Sequence, residues 1–365
     1  MHIAGQYKHK DAAGYVIAKQ PSFVEEVKSC IVNAMTPGGV KPKGTVPEKA
    51  PAKTGPISGK DKQAGTHKFS QEIGTVIEQS ILEKASMVKW EDLIGLDDVK
   101  KKMMETIVLP IKNPELFTGL LTPSKGILLF GPPGNGKTMV AKAIASQCGE
   151  DVTFFNMSAG TLTSRYYGDS EKLIQALFAI AAEKQPSVVF IDEIDSILGA
   201  RSSEEHEASR RLKTEFLVQF DGVGTRQEDR IVVVGSTNRP FDLDEAVLRR
   251  FTARIFLPLP SLEARSQMIK NQLKTVKSEM TDAEIQEISK KTEGYSFADL
   301  RAVCQEAAME PIRSFDYTQL ATLKKENAPP LCAKHFDLAI VKVPRSVSKK
   351  SIAEYEKWNN DNKKQ

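Results

Sequence analysis

Paired cysteine is missing from this sequence. The four cysteines of the 365 residues (Cys30, Cys148, Cys304, Cys332) lie far apart with no CxxC pair. That spacing excludes a disulfide framework and a zinc site of ordinary ligand spacing, and predicts isolated thiols in a reducing compartment. Long apolar runs are missing too. Stretches such as Gly126–Phe130 and Val188–Ile191 are far too short to cross a bilayer. The opening residues, MHIAGQYKHK, lead into no apolar segment, so no secretory signal is expected. Large apolar residues are nearly absent from residues 36–68, where proline, glycine and lysine dominate. Such a stretch cannot offset its own ordering entropy, and it is expected to be a flexible basic linker.

What is present is a 40% hydrophobic fraction, enough for a sizeable core, in a chain whose length suits two packed domains and a less ordered flank. Net charge is +4, unevenly spread. Residues 1–68 hold 11 lysines against 5 Asp or Glu, a balance of +6 that leaves −2 for the rest. The basic end is therefore a separate electrostatic object. Before the linker, only Ser22–Met35 carries a short helix-like pattern.

From about Gln71 the pattern changes. Ile73, Val76, Ile77, Ile81 and Leu82 recur at helical spacing, and a helix bearing Val99, Met103 and Ile107 follows Trp90–Gly95. Short β-branched runs then alternate with helical stretches: Gly126–Phe130, Thr153–Asn156, Ser187–Ile191, Ile231–Ser236 and Arg254–Leu257. That alternation predicts an α/β fold, a parallel sheet covered by helices on both faces. After Pro260 the pattern is helical only (Leu262–Leu273, Asp282–Thr292, Phe297–Ser314). The expected organisation is an N-terminal segment to residue 35, the linker 36–68, a nucleotide-binding domain 69–260, a small helical domain 261–345 and a C-terminal helix 346–365.

Directly after the strand GILLF comes Gly131-Pro132-Pro133-Gly134-Asn135-Gly136-Lys137-Thr138, followed by Met139 and a helical run. Gly-x-x-x-x-Gly-Lys-Thr between strand and helix is a phosphate-binding loop. Its glycines let backbone N–H groups turn inward toward phosphate oxygens, and the helix aims its partial positive end at the same point. Lys137 is expected on the β- and γ-phosphates of ATP, and the Thr138 hydroxyl on Mg²⁺. A second apolar strand ends in Asp192-Glu193-Ile194-Asp195. Asp192 would hold the Mg²⁺ through water, and Glu193 would polarise the attacking water. Asp195 reads equally as a helix cap or a catalytic group. A third strand runs into Thr237-Asn238, and Asn238 could orient that water.

These residues, with EHEASRRLKTEFLVQFDG (205–222), TNRPFDLDEAVLRRF (237–251) and YEKWN (355–359), resemble the AAA ATPases of the meiotic clade, and most of all its spastin branch. The resemblance covers residues 85–360. It implies a P-loop AAA+ sheet followed by a small helical domain, and a homohexameric ring, formed in the presence of ATP, with ATP between subunits. Arg249 and Arg250 resemble the arginine fingers of the clade, each reaching the neighbouring subunit's γ-phosphate. Base contacts are implied for Asp92, Ile94, Gly95, Gly294 and Ser296. Leu96 and Phe297 depart from the clade's glutamine and small residue, which points to a purine pocket that is tighter or more apolar. No arginine stands at the small-domain helix start.

Arg165-Tyr166-Tyr167-Gly168 and His206 with Arg210 and Arg211 resemble the loops that line the central pore. Neighbouring tyrosines cannot share one buried face, which agrees with a gripping role. Arg210 and Arg211 either read acidic substrate carboxylates or form a solvated helix face. The branch implies a hydrolase, also classed as an isomerase, that severs microtubules by pulling acidic tubulin tails into its pore. Its setting would be the cytoplasm and microtubule cytoskeleton, with a nuclear or perinuclear pool. Membrane association would be only indirect, and nucleic acid is disfavoured as a partner. ESCRT-III filaments as the substrate, or a nucleotide-regulated microtubule scaffold, are the alternatives. The basic linker would concentrate an acidic polymer, contact nucleic acid or serve as a spacer.

Overall fold

The computed structural model describes residues 73–81, 88–149, 151–163, 170–200, 207–223, 230–315 and 329–363. The Ser22–Met35 pattern, the 36–68 linker, Arg165–Gly168 and His206 lie outside them. The chain divides into two units, residues 1–76 and 77–365. Of the first, only residues 73–76 are described, inside a helix over residues 73–80 (α1).

In the second unit five parallel strands form one sheet: β1 (Gly126–Phe130), β2 (Thr153–Ser158), β3 (Ser187–Asp192), β4 (Ile231–Thr237) and β5 (Ala253–Phe256). Their order is β2-β3-β4-β1-β5. The three central strands read GILLF, SVVFID and IVVVGST and are buried almost throughout. A parallel strand covered on both faces has no solvent side, so its sequence loses the polar alternation of an exposed sheet. The covering helices are α2 (Asp97–Met103), α3 (Leu109–Lys112), α4 (Lys137–Cys148), α5 (Ala159–Thr163), α6 (Ser170–Glu183), α7 (Asp195–Leu198), α8 (Glu207–Gly222) and α9 (Glu245–Leu248). Between α2 and α3 a π-helical turn, Met104–Val108, keeps Ile107 and Val108 in the core.

The register decides where chemistry can occur. Phe130 pairs with Thr237 and Ile191 with Gly235. The loop after β1, the carboxylates closing β3 and Asn238 after β4 therefore emerge side by side at the carboxyl edge. Chain order and spatial order diverge there, because β1 lies between β4 and β5 while β2 and β3 lie beyond β4. Such a switch point is where doubly wound sheets open a ligand crevice.

A smaller helical body follows: α10 (Leu262–Leu273), α11 (Asp282–Lys291), α12 (Phe297–Met309) and α13 (Ala333–Lys342). It has its own core of Ile269, Ile285, Ile288, Leu300, Val303 and Phe336. Reciprocal capping boxes fix two of its starts, Thr281 with Glu284 and Ser296 with Asp299. The last helix, α14 (Lys349–Lys363), returns to the sheet. Its Trp358 packs edge-on against Phe130 with centroids 4.6 Å apart, and its Tyr355 hydroxyl donates to the Asn238 carbonyl. No helix among the described residues is long and apolar enough to cross a membrane.

Burial pushes the Cys148 thiol up to about 11 and the Cys304 thiol up to about 12. Both are packing groups rather than nucleophiles.

Candidate functional site

A cleft of about 770 Å³ opens at the carboxyl edge of the sheet. At one end stands the loop after β1. Positive φ at Gly134 (78°) and Gly136 (82°) turns the chain inward before α4 begins at Lys137. A Cβ on Gly134 would lie 2.8 Å from Ser296 Oγ and 2.9 Å from the Ala298 Cβ. Only glycine lets the loop tip meet the helical body so closely. Asn135 is fully buried and ties the loop to β5's exit, its Nδ2 donating to the Pro258 carbonyl at 3.0 Å.

Lys137 is 7% exposed. Its ammonium donates to the carbonyls of Gly131 (3.0 Å) and Pro132 (2.9 Å). Burial lowers its pKa to about 8, against the opposing pull of Asp192 and Asp195. A cation held this way, short of compensating charge, suits an anionic ligand. The Thr138 hydroxyl donates to Asp192 Oδ2 at 2.6 Å. Asp192 Oδ1 accepts the N–H of Glu193 at 3.0 Å.

Glu193 is the sole non-glycine residue with positive φ (55°) among the described residues. It lines the cleft with Asp192 and Asn238. A carboxylate kept in the left-handed region costs backbone energy and persists only when its surroundings impose it. Asn238 Oδ1 is buried without a hydrogen-bond partner, an acceptor left open beside Glu193. Asp195, for which capping and catalysis both stood open, accepts the Thr237 hydroxyl at 2.6 Å and is not the N-cap of α7.

The other wall comes from residues 88–96 and the helical body. Asp92, Ile94 and Leu96 line it, joined by Val88, Leu93, Met268, Asn271, Gln272, Phe297, Ala298 and Arg301. Leu96 and Phe297, the two departures from the clade's pattern, both line the cleft. Three other expected contacts stand elsewhere. Gly95, at φ 63°, faces α10, where a Cβ would come within 2.3 Å of the Ala264 Cβ. Ser296 is fully buried as the cap of α12, and Gly294 (φ 81°) turns the chain into it. Neither lines the cleft.

Met268, Asn271 and Gln272 were not legible as site residues. Their i, i+3, i+4 spacing announces a helix face but not a ligand. The same holds for Arg301, one turn beyond the helix start where no arginine was expected.

The two arginines after α9 differ. Arg249 is 79% exposed and, among the described residues, is paired only with Glu245 at 3.7 Å. Arg250 makes a two-pronged bond to Asp221 of α8 (2.7 and 2.6 Å) and a third to the Ala246 carbonyl (2.7 Å). At the other end of α9, the N-cap Asp244 accepts Lys213 of α8 at 2.9 Å, and Lys213 is 3% exposed. Helix α8 thus clasps α9 at both ends. Arg210 and Arg211 lie exposed near the start of α8, Arg211 paired with Glu207.

The donor set fits Mg²⁺: a hydroxyl and a carboxylate in contact beside the phosphate loop are hard oxygen ligands for an ion that shares its coordination with phosphates and water. No cluster of three or more metal-ligating His, Cys, Asp or Glu exists among the described residues.

Residues 127–259 match the ATPase family associated with various cellular activities (AAA), and residues 282–322 the AAA+ lid domain. Spastin of Naegleria gruberi is 51% identical over 272 residues, 74% of this chain and 52% of that protein. Spastin of Drosophila virilis is 42% identical over 358 residues, 96% of this chain and 46% of that protein. Spastin of Anopheles gambiae is 48% identical, with 34% of it covered. The chain thus spans between a third and about half of these curated relatives. Among solved structures, the FIGL-1 AAA domain in complex with ADP is 44% identical with a TM-score of 0.73, covering 80% of this chain and 96% of that one. A structure titled for katanin self-assembly is 35% identical, with a TM-score of 0.67 and coverages of 78% and 96%.

Proposed function

The chain belongs to the AAA ATPases, an ATP-hydrolysing, spastin-like member, and from that premise we propose that it is the motor of a microtubule-severing machine. It binds ATP with Mg²⁺, assembles as a homohexamer when ATP is present, and draws acidic tubulin tails into a central pore lined by Arg165–Gly168, His206, Arg210 and Arg211. Its place is then the microtubule cytoskeleton. The class of isomerase is withdrawn: the family is one of ATPases, and ATP and water ending as ADP and phosphate is hydrolysis.

The observation that carries the reading is convergence. Lys137, Thr138, Asp192, Glu193 and Asn238 come from three separate strand ends and line one cleft. Backbone N–H groups from Gly134 to Thr138, backed by the positive end of α4, receive the phosphate oxygens. Lys137 exchanges its two carbonyl acceptors for the β- and γ-phosphates. Thr138 and Asp192 would hold Mg²⁺, whose charge neutralises the phosphates when bound. Asn238 orients a water and Glu193 takes its proton as the water oxygen attacks the γ-phosphorus. The bond to the bridging oxygen breaks, and ADP leaves with phosphate.

Arg249, exposed and loosely paired, is the finger lent to the neighbouring subunit. Arg250, held by Asp221, sets the placement of Arg249.

The test measures ATPase rate and filament breakage across a dilution series, with intact microtubules and with microtubules stripped of tails. Specific activity should rise steeply with protein concentration, and severing should need the tails. Arg249→Ala should cost on the order of 10³ in turnover, and Arg250→Ala less. Constant specific activity on dilution would sink the shared-site reading. Filaments broken without tails would sink the tail-pulling one.

A further inference from the structure

We propose that Arg301 of α12 is a nucleotide-binding side chain, a cation carried by the helical body that closes over the nucleoside part of the ligand and sets affinity for it. The inference rests on the cleft being the ATP site.

The start of α12 is fixed. The Ala298 N–H donates to the Gly134 carbonyl at 3.1 Å, and the Ser296 cap exchanges bonds with Asp299. Asp299 also accepts the backbone and hydroxyl of Ser346. Arg301 follows Phe297 by four residues, so both project from one face of the helix. Both line the cleft.

Two other arginines of this body are committed. Arg265 donates to the Ser289 and Pro260 carbonyls at 2.9 and 2.8 Å, and Arg313 is ion-paired to Glu306 and Glu310. Arg301 is exposed and has no hydrogen bond or ion pair among the described residues. A guanidinium with no partner among the described residues, on the wall of a ligand cleft, has its donors and its planar face available to the ligand.

The position selects the nucleoside rather than the phosphates. The phosphate end already has its cation, Lys137, backed by Asp192 and Asp195. Arg301 follows Phe297 by one turn of α12 and lines the cleft together with Met268 and Leu96, and these apolar groups suit a purine. A guanidinium among them can lie over the base's π face and donate to its ring nitrogens or to ribose hydroxyls.

The experiment compares wild type, Arg301→Met, Arg301→Lys and the control Arg313→Met. Each is titrated with ADP and with inorganic tripolyphosphate, and each is assayed for KM and kcat. Arg301→Met should weaken ADP by about tenfold and raise the KM for ATP equally, with kcat at saturation unchanged. Tripolyphosphate affinity should stay the same, Arg301→Lys should recover part of the loss, and Arg313→Met should bind normally. ADP binding by Arg301→Met within twofold of wild type overturns the proposal, as does an equal loss of tripolyphosphate. If wild type itself bound neither ADP nor tripolyphosphate, the ATP-site reading would fall instead.

Discussion

The two ends of the cleft are built in opposite ways. The phosphate end is one eight-residue loop and the tips of two neighbouring strands, held by backbone geometry and by short contacts such as Thr138 to Asp192 at 2.6 Å. The wall facing it is assembled from residues 88–96, one face of α10 and the first turns of α12. One end is local and fixed by hydrogen bonds. The other is composite, and it meets the first through the contact of Gly134 with Ser296 and Ala298. The difference teaches that anchoring and sensing are divided. On the proposed reading the sheet anchors the phosphates while the helical body registers the nucleotide by packing on it, and the two parts approach closely where Gly134 meets Ser296 and Ala298.

The sharpest way to break the comparison is at the anchor. Lys137→Met removes the buried cation, and with charged hydrogen bonds worth about 1.5–3 kcal/mol each, ADP affinity should fall on the order of 100-fold by calorimetry. An affinity within threefold of wild type would mean that the loop's N–H groups suffice alone.

Next comes the joint. Gly134→Ala puts a methyl group at φ 78°, 2.8–2.9 Å from Ser296 and Ala298. The strain of such a residue, about 1–3 kcal/mol, should lower ADP affinity about tenfold and loosen the helical body. Faster amide exchange in α12 than in β1 would show it; equal exchange would mean that the two ends do not communicate here.

The smallest effect is in pH. Phosphate binds the protonated Lys137, whose pKa in the free protein is lowered to about 8 by burial. Affinity should therefore be level between neutrality and pH 8 and fall above it, by at most tenfold per pH unit, with proton uptake on binding. A flat profile to pH 9.5 would place the lysine elsewhere in the bound state.

Helix α8 and α9 sharpen the picture. Arg249 and Arg250 are neighbours of one residue type that the sequence treats alike. Asp221 separates them, twenty-nine residues earlier in the chain, and no spacing rule joins those positions. Tyr355 and Trp358 likewise read as markers of resemblance, yet they pack behind Asn238 and Phe130.

Sequence alone determined the parallel sheet, the phosphate loop and the carboxylates after β3, because each is a local pattern: a fully apolar strand, a glycine-bearing turn, a charged strand end. Tertiary structure alone decided which side chains complete the cleft. Ser296 became a cap and Gly95 a packing contact, while Met268, Asn271, Gln272 and Arg301 became walls. The reason is physical. Backbone conformation and strand burial are written within a few residues, whereas a cleft wall depends on how helices distant in sequence come to rest against one another.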